Sequence, residues 1–159
     1  MKRPLEVIFI DTATLILVVA GIAKLYSATG TAEILDHLDP IFLVLNRVVL
    51  TLVGMIELAV VGALFIGRNT STKLLMVAWL STNFVIYRFG LWFLQIKKPC
   101  SCLGTVTDLL PASPATIDHA LKASVLYLFL GSVLLLLRRS ASQEGSGRHV
   151  VKSAELSAQ

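Results

Sequence analysis

Residues Ile41–Ile66 read IFLVLNRVVLTLVGMIELAVVGALFI, an apolar run interrupted only by Asn46, Arg47, Thr51 and Glu57 among its larger polar side chains. A helix needs about 20 mostly apolar residues to cross a bilayer, and this run has them. It shows no alternation of period two, which argues against a strand of a membrane barrel. In hydrocarbon every backbone amide needs an internal partner, which leaves a helix. Working outward, three more runs have the same character: about Val7–Tyr26, Leu74–Ile96 and Ala120–Leu137. The expected fold is therefore all-α, an integral membrane four-helix bundle over residues 1–138. Residues 139–159, rich in Ser, Ala, Gly and charge without an apolar period, are expected to be a disordered tail.

Composition supports this. Of the 159 residues 55% are hydrophobic and 15% charged, with a mean hydropathy of +0.78. A soluble domain carries about 25% charged residues, so this chain lacks the charge to cover a water-facing surface. The net charge of +4 comes without a basic run interleaved with aromatics, and nucleic acid is not an expected partner. Lys2 and Arg3 before an apolar run resemble a signal peptide; the length of that run, with Asp11 and Lys24 inside it, favours a retained span.

Lysine and arginine in short loops set orientation. Lys2 and Arg3, Arg68 and Lys73, and Arg138 and Arg139 fall on one side of an even-numbered bundle. That side is expected to be cytoplasmic, with both termini there, in a multi-pass protein of the cell membrane. The first connection, about Ser27–Pro40, carries Glu33, Asp36 and Asp39 and no lysine or arginine, and is expected outside. So is the third, from Lys97 to about His119, although Lys97 and Lys98 oppose that placement.

Ionisable groups inside a bilayer are costly and are functional candidates by default. Glu57 is the sharpest. If the second helix begins at Ile41, Glu57 lies about 24 Å from its outer end at 1.5 Å per residue, too deep for a short side chain to reach water. It is paired, protonated or facing water within the bundle. Asn46, Val53 and Glu57 share a stripe. Arg88 belongs to a polar stripe with Ser81 and Gln95, and Asn83 and Tyr87 form an i,i+4 pair nearby. Lys24, Arg47, Arg88, Lys97, Lys98 and Lys122 make the outer half rich in cations. Lys24 and its like have a plainer reading as side chains that snorkel to the interface. For Glu57 and Arg88 the plainer reading is a polar contact holding helices together.

The only two cysteines occur as Pro99-Cys100-Ser101-Cys102-Leu103-Gly104 in the third connection. An extracytoplasmic compartment permits disulfides. A Cys-x-Cys disulfide closes a small strained ring, and strain makes the bond labile. Neighbouring cations favour the reactive thiolate. The alternatives are a static disulfide or two inert thiols. A zinc site is weaker, since His119 alone would join the pair and three ligands do not close a structural site. With no second pair, Cys100 and Cys102 would have to exchange directly with a partner protein, a quinone or a small thiol.

Three segments carry a resemblance. Gly21-Ile22-Ala23-Lys24 with Ser27, Gly54-Met55-Ile56-Glu57-Leu58, and Cys100-Ser101-Cys102-Leu103-Gly104 resemble the methylamine utilisation protein MauE family, one of the DoxX-like four-helix membrane proteins. The resemblance spans about Val7–Leu137; Leu103 stands where the family usually has Phe. It implies assistance in maturing the disulfide-dense beta subunit of methylamine dehydrogenase, by processing, transport or disulfide formation. It picks out Lys24, Glu57, Cys100 and Cys102. Related DoxX-like proteins imply a quinone as candidate cofactor.

Three functions follow as expectations. The first is a thiol–disulfide oxidoreductase or maturation factor, with Cys100 and Cys102 catalytic and Lys24, Glu57 and Arg88 lining a polar membrane pocket. Its partners would be the bilayer and an extracytoplasmic protein. The second is a non-enzymatic anchor of a redox complex. The third is a small proton-coupled transporter using Glu57, which with four spans would need to oligomerise.

Overall fold

All four apolar runs form helices in the computed structural model, which describes residues 2–30, 35–94 and 114–157. These are α1 (Lys2–Ala28), α2 (Asn46–Ile66), α3 (Thr70–Phe93) and α4 (Pro114–Ser157). Their apolar stretches, Leu5–Ala28, Asn46–Ile66, Thr70–Phe93 and His119–Ala141, are each long enough to cross a membrane. The described residues form no strand beyond an isolated Leu38–Leu45 bridge. The polar stretch after Ala141, expected from its composition to lack regular structure, continues α4 to Ser157. A helix without an apolar face to bury draws little support from packing.

The helices run antiparallel in sequence. α1 packs chiefly on α2 and α3 on α4. Between α2 and α3 the turn is tight: Gly67 N–H donates to the Ala63 carbonyl at 2.8 Å, and the Asn69 side chain caps α3 by accepting from Ser71 N–H at 3.0 Å, which satisfies an otherwise orphaned amide. At that end Arg139 ties three helices together. Its guanidinium donates to Ser71 Oγ at 2.6 Å and lies 3.4 Å from Glu6.

Several boundaries differ from the sequence reading: α1 runs from Lys2 to Ala28 and α4 starts at Pro114, and two further shifts have a local cause. The second helix starts at Asn46 instead of Ile41, because Asp39–Leu45 folds into a turn described below. The third starts at Thr70, before Leu74, because Asn69 caps it.

The apolar core lies towards the Arg139 end. Phe9, Ala13 and Leu17 of α1, Val61 and Leu64 of α2, Leu74, Val77 and Leu80 of α3, and Leu128 of α4 close it. Outward-facing side chains such as Leu15, Val19, Phe65, Ile66 and Trp92 are exposed and apolar, as a lipid-facing surface requires. Two buried hydroxyls are satisfied within their own helices: Ser132 donates to Leu128 O and Ser81 to Ala78 O.

Candidate functional site

Away from that core, the buried stripe of α2 changes character. Leu50, Gly54, Glu57, Val61 and Leu64 recur at spacings of three and four, so one face of the helix points at its neighbours. Glu57 is part of this stripe and only 1% exposed. Opposite it stands Lys24 of α1, 8% exposed. Lys24 Nζ donates to both carboxylate oxygens, at 2.7 Å to Oε1 and 2.9 Å to Oε2. This is a buried, doubly hydrogen-bonded ion pair.

Helix geometry explains why these two meet. Side chains tilt towards the N-terminus of their own helix. α1 runs towards the Lys24 end, so Lys24 leans back into the bundle and away from the interface. α2 runs the other way, so Glu57 leans out towards Lys24. Counting from Asn46, Glu57 is about 17 Å inside its helix, shallower than the sequence suggests. The helices also approach closely there. A Cβ on Gly54 would stand 3.0 Å from Leu25 Cγ and 3.1 Å from the Gly21 carbonyl, and one on Gly21 would stand 3.1 Å from Leu58. Small residues at this crossing let the backbones approach, and the pair closes beside them. Phe84 of α3 completes the site, its ring centroid 5.5 Å from Lys24 Nζ, within the range of a cation–π contact.

A second polar cluster lies at the same end. Asp39 is 1% exposed. It accepts from Tyr87 Oη at 2.6 Å and from the Ile41 and Phe42 amides at 2.9 and 3.0 Å. The sequence reading counted Asp39 only as a charge of a water-facing loop. The missed signal is Asp39-Pro40 itself, a dipeptide that favours turn initiation.

Of the sequence candidates, Lys24 and Glu57 are brought together. Arg88 is half-buried on α3, next to Tyr87 in the sequence. Tyr87 pairs with Asp39, and Asn83 turns to its own helix at Trp79 O. Cys100 and Cys102 lie outside the described residues. Their connection joins the C-terminal end of α3 to the start of α4, the ends that share a side with Lys24. Among the described residues no three His, Cys, Asp or Glu side chains are grouped to hold a metal ion.

Compared with known proteins, residues 1–139 match a family model described as methylamine utilisation protein MauE. No curated protein and no solved structure matches the chain.

Proposed function

The chain belongs to the methylamine utilisation protein MauE family, and on that premise we propose that it matures an extracytoplasmic protein by thiol–disulfide exchange through Cys100 and Cys102. Family membership points to a role in methylamine utilisation, and the four spans point to a multi-pass membrane protein. The finer reading places the Lys24 end outside the cell membrane and the Arg139 end, with Arg68, Lys73 and residues 139–159, in the cytoplasm. The membrane domain is residues 1–138. The beta subunit of methylamine dehydrogenase is the client this family implies.

The observation that carries the reading is the buried Lys24–Glu57 pair on the side from which the Cys100–Cys102 connection leaves. Two apolar side chains would hold α1 and α2 as well or better, since buried ion pairs rarely add net stability. Retaining full charges in hydrocarbon therefore favours a task for them. In the proposed step, the Cys100–Cys102 disulfide accepts two electrons from a client dithiol. The client gains a disulfide, Cys100 and Cys102 become thiols, and the two client protons are taken up in the exchange. A quinone accepting two electrons and two protons would restore the disulfide. Lys24, Glu57 and Arg88 would supply the polar route for those protons or for the quinone headgroup.

The test is Cys100→Ser and Cys102→Ser, singly and together, in cells producing a disulfide-dense client. Free client thiols should accumulate at unchanged levels of the membrane protein. Normal client oxidation in the double variant would overturn the reading. A second reading, a non-enzymatic anchor, is favoured by one feature: both Glu57 oxygens are occupied by Lys24, as in a structural staple. It requires a partner complex that co-purifies undiminished without either cysteine.

A further inference from the structure

The segment between α1 and α2 looks water-facing by its acidic residues, yet Leu38–Leu45 is apolar except for Asp39. We propose that Leu38–Leu45 is a hairpin seated in the bilayer interface, with Leu38, Phe42, Leu43 and Val44 in contact with lipid.

Backbone bonding is the first argument. Irregular backbone at membrane depth needs its polar groups satisfied by protein, and this turn is largely self-sufficient. Asp39 N–H donates to Val44 O at 2.7 Å, Leu43 N–H to Asp39 O at 2.9 Å, and Asn46 N–H to His37 O at 2.9 Å. The Ile41 and Phe42 amides donate to the Asp39 carboxylate, and Pro40 has no N–H to satisfy. Asp39 is thus turned inward and serves as the hub of the loop.

Side-chain placement is the second. With Asp39 buried, what remains outside is apolar: Leu38, Phe42, Leu43 and Val44 are all exposed, Leu43 at 74%. Leu43 adopts φ 55°, a left-handed conformation that a turn in water would ordinarily give to Gly or Asn. An apolar residue held there is understandable if lipid receives it. The hairpin is anchored to α3 on its inner side. The Phe42 and Tyr87 rings stack at 5.9 Å and 9°, and a Cβ on Gly90 would lie 3.0 Å from Ile41 Cδ1.

Continuity is the third. The exposed surface of the hairpin continues through Leu45 into Val48 and Leu52 of α2, on a helix long and apolar enough to span. Asp36 and His37, on the other flank, are exposed and polar, and Asp36 meets Arg47 at 3.4 Å. They mark where the chain returns to water.

The test uses the full chain with Cys100→Ser and Cys102→Ser, carrying one nitroxide at Leu43→Cys, Val44→Cys, Asp36→Cys or Leu52→Cys, in phosphatidylcholine–phosphatidylglycerol vesicles. Power-saturation spectra compare collisions with oxygen, which concentrates in lipid, and with a neutral nickel chelate, which stays in water. The oxygen-to-nickel ratio at 43 and 44 should exceed that at 36 several-fold and approach that at 52. Nickel collisions at 43 and 44 equal to those at 36 would place the turn in water and overturn the proposal. Protection from both reagents would mean a protein cover, such as a second copy, and would overturn it as well.

Discussion

Replacing Glu57 with Leu leaves the Lys24 ammonium in a site where its residue is 8% exposed, with no carboxylate to receive it. Removing one partner of a buried pair costs about 3–5 kcal/mol. Lys24→Met strands the carboxylate instead and should lose stability in the same range. The double variant Lys24→Met/Glu57→Leu has no charge to strand and should be near wild type, or more stable by about 1–4 kcal/mol. SDS-driven unfolding in mixed micelles, followed through Trp79 and Trp92 fluorescence, measures all four corners of the cycle. Single losses below about 1 kcal/mol that simply add in the double variant would refute a buried, coupled pair.

The α1–α2 crossing makes a paired expectation for glycines. Gly54→Ala puts a methyl against Leu25 and the Gly21 carbonyl and should lose about 1–3 kcal/mol, whereas Gly62, whose Cβ would meet nothing within 4 Å, should tolerate Ala with no loss in the same unfolding assay. Tyr87→Phe removes one of three hydrogen bonds to the buried Asp39 carboxylate. It should cost about 1–3 kcal/mol, and a neutral result would show that the hairpin does not depend on this anchor. Glu6→Gln, at a pair 3.4 Å apart whose arginine side chain is 37% exposed, should change stability by less than about 1 kcal/mol; a loss as large as that of Glu57→Leu would contradict the contrast between the two ends.

Run length made the four spans readable from sequence, because a bilayer imposes a minimum length on any crossing helix. Glu57 was readable as a group needing a partner for the same reason. Its partner was not. Lys24 stands one turn from the end of α1, where a long cation commonly reaches outward. Only the close approach at Gly21 and Gly54, with the tilt of each side chain along its own helix, turns it inward. Asp39 was misread because charge counting treats all acidic loop residues alike, whereas a carboxylate followed by Pro40 can gather amides two and three residues on. Leu43 at φ 55° has no signature in the pattern of apolar residues, since Leu is an uncommon choice there. The start of α2 followed from these: Ile41–Leu45 is apolar enough to extend the span, and the Asp39 turn removes it from the helix.

The thiol state of Cys100 and Cys102 in intact cells tests the central claim most directly. An impermeant maleimide is applied with and without mild reductant, and the protein is confirmed present by mass-tag shift after denaturation. Labelling only after mild reductant is expected, as for a labile disulfide outside the membrane. Labelling that appears only once the membrane is permeabilised would put the pair on the inner side and contradict the account.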